Sequence, residues 1–176
     1  MRRQFRRTFG IVLAVGLPLV ASGAPAAART TGKESFKGAI VTSGESGTRT
    51  VVSSVIAASG VFTGSGRVVE VDSRPGDPGN VNRDDLVFPQ GTMHIRSTSQ
   101  TPAMSLNPQT CMLTVRITQV TKIIGGTGRF RHATGTGTGT VREWGVTARK
   151  PDGTCSQDAA LLVEVDVIAS RGTLSI

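Results

Sequence analysis

The chain has no tyrosine, one tryptophan and only two histidines in 176 residues. Aromatic residues make up 4% of it, so the stacking platforms used by single-strand nucleic-acid binders have little to be built from. Net charge is +8, but Arg2, Arg3, Arg6 and Arg7 crowd the start, and without them 16 basic residues face 12 acidic ones. That remainder is scattered, with no run of like charges, which argues against nucleic acid as a partner. Two cysteines without a C-x-x-C spacing exclude a redox pair, and no cluster of Cys and His could hold zinc. No G-x-S-x-G elbow, P-loop or dinucleotide fingerprint is present, so neither a metal nor a cofactor is expected. Apolar residues do not recur at three and four over any long window, which leaves no convincing helix.

What is present begins with an export signal over residues 1–28. A basic start precedes the apolar run Phe9 to Ala21, which Gly10, Gly16 and Pro18 interrupt, and Ala26-Ala27-Ala28 offers a cleavage site near Ala28. The run is too short and broken for a membrane span, so a secreted protein without a stable membrane anchor is expected. Residues 29–35 are polar and are expected to be a disordered leader, with the folded domain over residues 36–176. In an exported chain Cys111 and Cys155 suggest one disulfide, the alternative being two free thiols.

β-Branched residues and glycines dominate from Phe36 onward. Strands are expected at Phe36–Thr42, Arg49–Ala58, Gly60–Asp72, Leu86–Phe88, Gly91–Ser99 and Met104–Leu106. Long ones follow at Cys111–Ile123, Thr134–Thr147 and the final segment around Leu161–Ser170. Residues 73–84, with two prolines and two glycines, are expected to form a surface loop, and their Asp and Asn do not fit a calcium-loop spacing. In the strand from Cys111, Leu113, Val115, Ile117 and Ile123 share a face with Gln119 and Thr121. In the last strand Leu161, Val163, Val165, Val167 and Ala169 form an apolar face, with Glu164, Asp166 and Ser170 pointing away. Eight or nine short strands and no crossover indicate a closed barrel or a sandwich.

The chain is organised around Gly125-Gly126-Thr127-Gly128-Arg129-Phe130. Its glycines permit a reversal with φ > 0, and Phe130 is placed to plug whatever the turn closes over. The longer string G-G-T-G-R-F-R-x-A-x-G resembles the signature of dirigent proteins and of the related allene oxide cyclase-like barrels. That resemblance implies a single antiparallel eight-stranded, calycin-like β-barrel in which a small apolar molecule is bound and, in some members, isomerised or cyclised. Where dirigent proteins continue A-R-G-Y, this chain has Ala133-Thr134-Gly135-Thr136, which removes the arginine and aromatic that would bind a phenolic substrate.

Gly135, Gly137 and Gly139 alternate with threonines. Each costs roughly 0.5–1 kcal/mol against alanine in a strand interior. The bare face either lines a lumen that must stay roomy or admits close approach of another backbone, such as a second subunit of a homo-oligomer. If the glycine face points inward, Glu143 follows it into the lumen as a desolvated carboxylate suited to acid–base catalysis. If the threonine face does, Trp144 and Arg142 enter instead. Gln119 is either a polar handle for a ligand or a residue near the barrel end. The functional expectation is a barrel isomerase or cyclase with Glu143 as catalytic group. Its competitor is a non-catalytic binding barrel, and a third option is an envelope protein without a small ligand.

Overall fold

In a computed structural model, residues 29–44, 48–156 and 161–176 are described, and the expected signal segment lies outside them. Among the described residues nine antiparallel strands follow one another. They are β1 (Thr31–Ser43), β2 (Thr50–Gly60), β3 (Gly64–Val71), β4 (Val81–Phe88) and β5 (Gly91–Ser99), then β6 (Ala103–Asn107), β7 (Met112–Gly126), β8 (Thr134–Val146) and β9 (Val163–Ser175). Each of β1 to β5 pairs with the next, β5 pairs with β7, and β7, β8 and β9 lead back to β1. Eight strands therefore close a barrel, which removes the free edges of an open sheet. The ninth, β6, lies outside it. β5 takes the second part of β7 from Gln119 to Gly126, and β6 takes the first part from Met112 to Arg116. One edge of β7 thus serves two successive strands.

One end of the barrel is plugged by aromatic packing. Phe62, Phe88 and Phe130 meet edge to face with centroids 4.9, 5.0 and 5.8 Å apart, and Ile56, Met93 and Leu174 close around them with almost no exposure. Phe130 reaches this cluster from a short 3-10 turn, Gly128–Phe130, after β7. Gly125 and Gly128 have φ of 111° and 54°, as the expected reversal requires. Gly126 is needed for space instead, since a Cβ there would lie 1.9 Å from the Thr92 carbonyl oxygen. Thr127 ties the turn to β5 by accepting the Thr92 N–H on Oγ1 at 3.1 Å.

Several sequence expectations need correction. Residues 31–35 are not a leader but the start of β1, where buried Glu34 accepts the Phe62 N–H at 2.8 Å. The surface loop ends sooner than expected, because Val81–Asp84 already belong to β4. The largest error concerns β9. Val163 and Val167 lie outside, while Asp166 and Leu174 are buried. Parity decides this: Leu174 must reach the aromatic plug, and counting back by twos from it puts Gly172, Ser170, Ile168, Asp166 and Glu164 on the inner face. The valines that resemble a core face are therefore the outer surface of the barrel.

Cys111 and Cys155 form a disulfide with Cα atoms 5.3 Å apart. Both lie at the end opposite the plug. The hairpin that carries Cys155, closed by an Arg149–Cys155 bridge, packs against the Asn107–Pro108 turn.

Candidate functional site

Above the plug the barrel encloses a cavity of about 330 Å³. Its inner wall follows the alternation of β7, β8 and β9. Ile117, Gln119 and Thr121 come from β7, Val141 and Glu143 from β8, and Asp166 and Ile168 from β9. The glycine face of β8 is the inner one, and Glu143 follows it into the lumen as that parity requires. Trp144 and Arg142 point outward and are exposed, so Trp144, one of the expected ligand contacts, does not reach the cavity. Gln119 is a wall residue rather than one at the barrel end.

Gly135, Gly137 and Gly139 do not line this cavity; their bareness serves the close approach of a neighbouring strand. A Cβ on Gly135 would stand 2.3 Å from the Thr173 carbonyl oxygen, and one on Gly137 would stand 2.7 Å from that of Arg171. Gly172, directly opposite Gly137, is tighter still, with the Thr136 carbonyl oxygen 2.0 Å from its built Cβ. The other backbone is thus the barrel's own β9.

Toward the open end the lumen becomes acidic. Five carboxylates line it, those of Glu70, Asp84, Glu143, Glu164 and Asp166. Glu143 and Asp166 are directly opposed on β8 and β9, and Glu70 and Asp84 on β3 and β4. Arg49, just before β2, reaches between them. Its Nε donates to Glu164 Oε2 at 3.0 Å, its Nη2 stands 3.5 Å from Asp166 Oδ2, and its Nη1 pairs with Glu70. Thr42 Oγ1 also donates to Glu164 Oε2, at 3.1 Å. Asp166 Oδ1 is buried and has no hydrogen-bond partner among the described residues.

Burial and like-charged neighbours raise three of these acids. Loss of water, then the charges of Glu164 and Glu143, push Asp166 up to about 7. Desolvation, followed by Glu70 and Asp85, brings Asp84 to about 6. Glu143 is raised as well, first by desolvation and then by Glu164. Ligand oxygens of Glu143, Glu164 and Asp166 all lie within 4.8 Å of one another, so this trio is also where a hard cation would find oxygen donors.

Sequence reasoning found Glu143 and Gln119 and missed Glu164, Asp166, Arg49, Glu70 and Asp84. The usable signal was parity with Ile168 and Leu174, which the more conspicuous valines masked. The two histidines stand apart from the lumen. His94 Nδ1 is 2.6 Å from Asp85 Oδ1, and His132 is exposed. A separate groove beside β6 is lined by Met104, Leu106, Leu113 and Leu161 with Thr147 and Ser156, and none of its described lining residues is titratable. No protein-family model, curated protein or solved structure matches the chain.

Proposed function

We propose that the protein takes a small, largely apolar molecule into its barrel and guides an isomerisation or cyclisation of it, with Glu143 exchanging the proton. The observation that carries this reading is the lumen itself, a 330 Å³ space with apolar walls toward the plug and raised carboxylates toward the open end. Such a cavity, mostly apolar with a few convergent polar groups, is the usual form of a small-molecule site. Burial and Glu164 raise Glu143, and burial with the charges of Glu164 and Glu143 raises Asp166 to about 7, so both opposed acids hold a proton to higher pH than a free carboxyl and suit proton exchange with a ligand. Gln119 stands on the same wall as an uncharged hydrogen-bonding group that can orient a ligand. The resemblance of the Gly125–Phe130 region to dirigent and allene oxide cyclase-like barrels supports the same chemistry.

The neutral fluorophore Prodan tests the binding half. It should bind with one-to-one stoichiometry and a blue-shifted emission, and Ile117→Trp, which fills the lumen, should abolish the shift. Absence of binding, or equal binding by the filled variant, would refute a lumen site. Native mass spectrometry of protein purified gently from its own source should then reveal the retained ligand. With that ligand as substrate, Glu143→Gln should lower turnover by far more than it weakens binding, and Prodan should still bind the variant.

A further inference from the structure

The lumen's charge pattern narrows the ligand class, given the reading above that the lumen binds a small molecule. Like charges directly opposed across two strands are destabilising, and this lumen holds two such pairs, Glu143 with Asp166 and Glu70 with Asp84. Arg49 offsets part of the repulsion through Glu70, Glu164 and Asp166. The other arginine on the wall, Arg83, is held by Asp77 at 2.7 Å. Among the described residues neither Glu143 nor Asp84 has an ion-pair contact. Asp166, only 6% exposed, lines the cavity and meets Arg49 through Oδ2, while its buried Oδ1 has no hydrogen-bond partner among the described residues. The acidic end of the lumen thus already engages one cation, the half-exposed Arg49 guanidinium, and Glu143 remains there without an ion-pair partner among the described residues.

We infer that the lumen is a site for an organic ammonium, its apolar body against Ile117, Val141 and Ile168 and its protonated amine among Glu143, Glu164 and Asp166. Three N–H donors on one nitrogen match three carboxylates whose oxygens lie within 4.8 Å of one another. A bare metal ion would leave the apolar walls unfilled, and an anionic ligand would meet five carboxylates. The ammonium also supplies the positive charge that the opposed acids lack.

Displacement of Prodan by octylamine, octanol and octanoate, which share a chain and differ in head group, tests this at about pH 8, where an alkylamine is still protonated. Octylamine should displace the probe at a concentration about tenfold to a hundredfold below that of octanol, the range of a charge-assisted hydrogen bond. Octanoate should be weaker than octanol. Asp166→Asn should bring the amine-to-alcohol ratio close to unity, and Glu143→Gln provides a second variant should the first fail to fold. Equal displacement by octylamine and octanol would overturn the inference, as would a preference that survives both substitutions. Competition by Ca²⁺ or Mn²⁺ alone, at concentrations below those of octylamine, would assign the cluster to a metal ion instead. Absence of Prodan binding would remove the lumen reading and this inference together, whereas Prodan binding without amine preference removes this inference alone.

Discussion

Asp166 carries the clearest conflict between stability and use. Its carboxyl is buried, lies opposite Glu143 and beside Glu164, and titrates at about 7 against an ordinary value of 3.8. In the unfolded chain it loses its proton near 3.8, while the folded barrel holds that proton up to about 7. Between those values the unfolded state is progressively favoured, so stability falls as pH rises through this window and levels off above it. Asp84, raised to about 6, acts with the same sign and stops contributing sooner. Thermal unfolding followed by circular dichroism should therefore show a higher Tm near pH 4.5 than near pH 8. Asp166→Asn should flatten that slope and stabilise the protein at the higher pH by on the order of 1–3 kcal/mol. An unchanged slope in the variant would mean that the cluster is already neutralised by another route. Glu143 was legible in the sequence because the glycine alternation of β8 offered only two parities. Asp166 was not, because nothing local marks a buried aspartate among valines.

At the level of elements, the pairing of β8 with β9 decides the shape of the lumen. Gly137 and Gly172 face each other, and a side chain at either would run into a backbone carbonyl of the opposing strand. Gly172→Ala should cost about 2–3 kcal/mol, since the obstructing atom belongs to the sheet and cannot rotate away. Gly153 is a fair control: its φ is 81° and nothing surrounds its built Cβ, so alanine there should cost only about 1 kcal/mol. Urea denaturation of both variants measures the difference, and equal losses would mean that conformational freedom, not contact, explains the glycine stripe. The glycines themselves were visible in the sequence. Their partner was not, because β8 and β9 are joined through residues 147–162 and register is a property of the assembled sheet.

For the whole molecule, the disulfide and the aromatic plug anchor opposite ends. Cys111 has φ of 55°, a left-handed conformation that costs a non-glycine residue about 1 kcal/mol. The bond to Cys155 and the Thr147 N–H donated to its carbonyl at 3.0 Å hold it there. With a sequence separation of 44 residues, the chain-entropy account gives roughly 4 kcal/mol of stabilisation. The double variant Cys111→Ala/Cys155→Ala should lose stability on that scale in urea and still bind Prodan, because the hairpin of residues 149–155 does not line the lumen. Loss of probe binding in a folded double variant would show that the hairpin controls access to the lumen.

The number of strands, the antiparallel class, the reversal at Gly125–Phe130 and the bond between the cysteines follow from local chemistry: alternation, glycine freedom, the lack of helical spacing and a pair of thiols without other partners. The charge of the lumen does not. It arises where β3 meets β4 and where β8 meets β9, when carboxylates distant in the chain become cross-strand neighbours and share one arginine from the approach to β2. The sequence determines which faces each strand has. Only closure of the barrel, with Leu174 drawn into the aromatic plug, decides which of them faces inward, because a shift of one residue in parity exchanges lumen for surface along an entire strand.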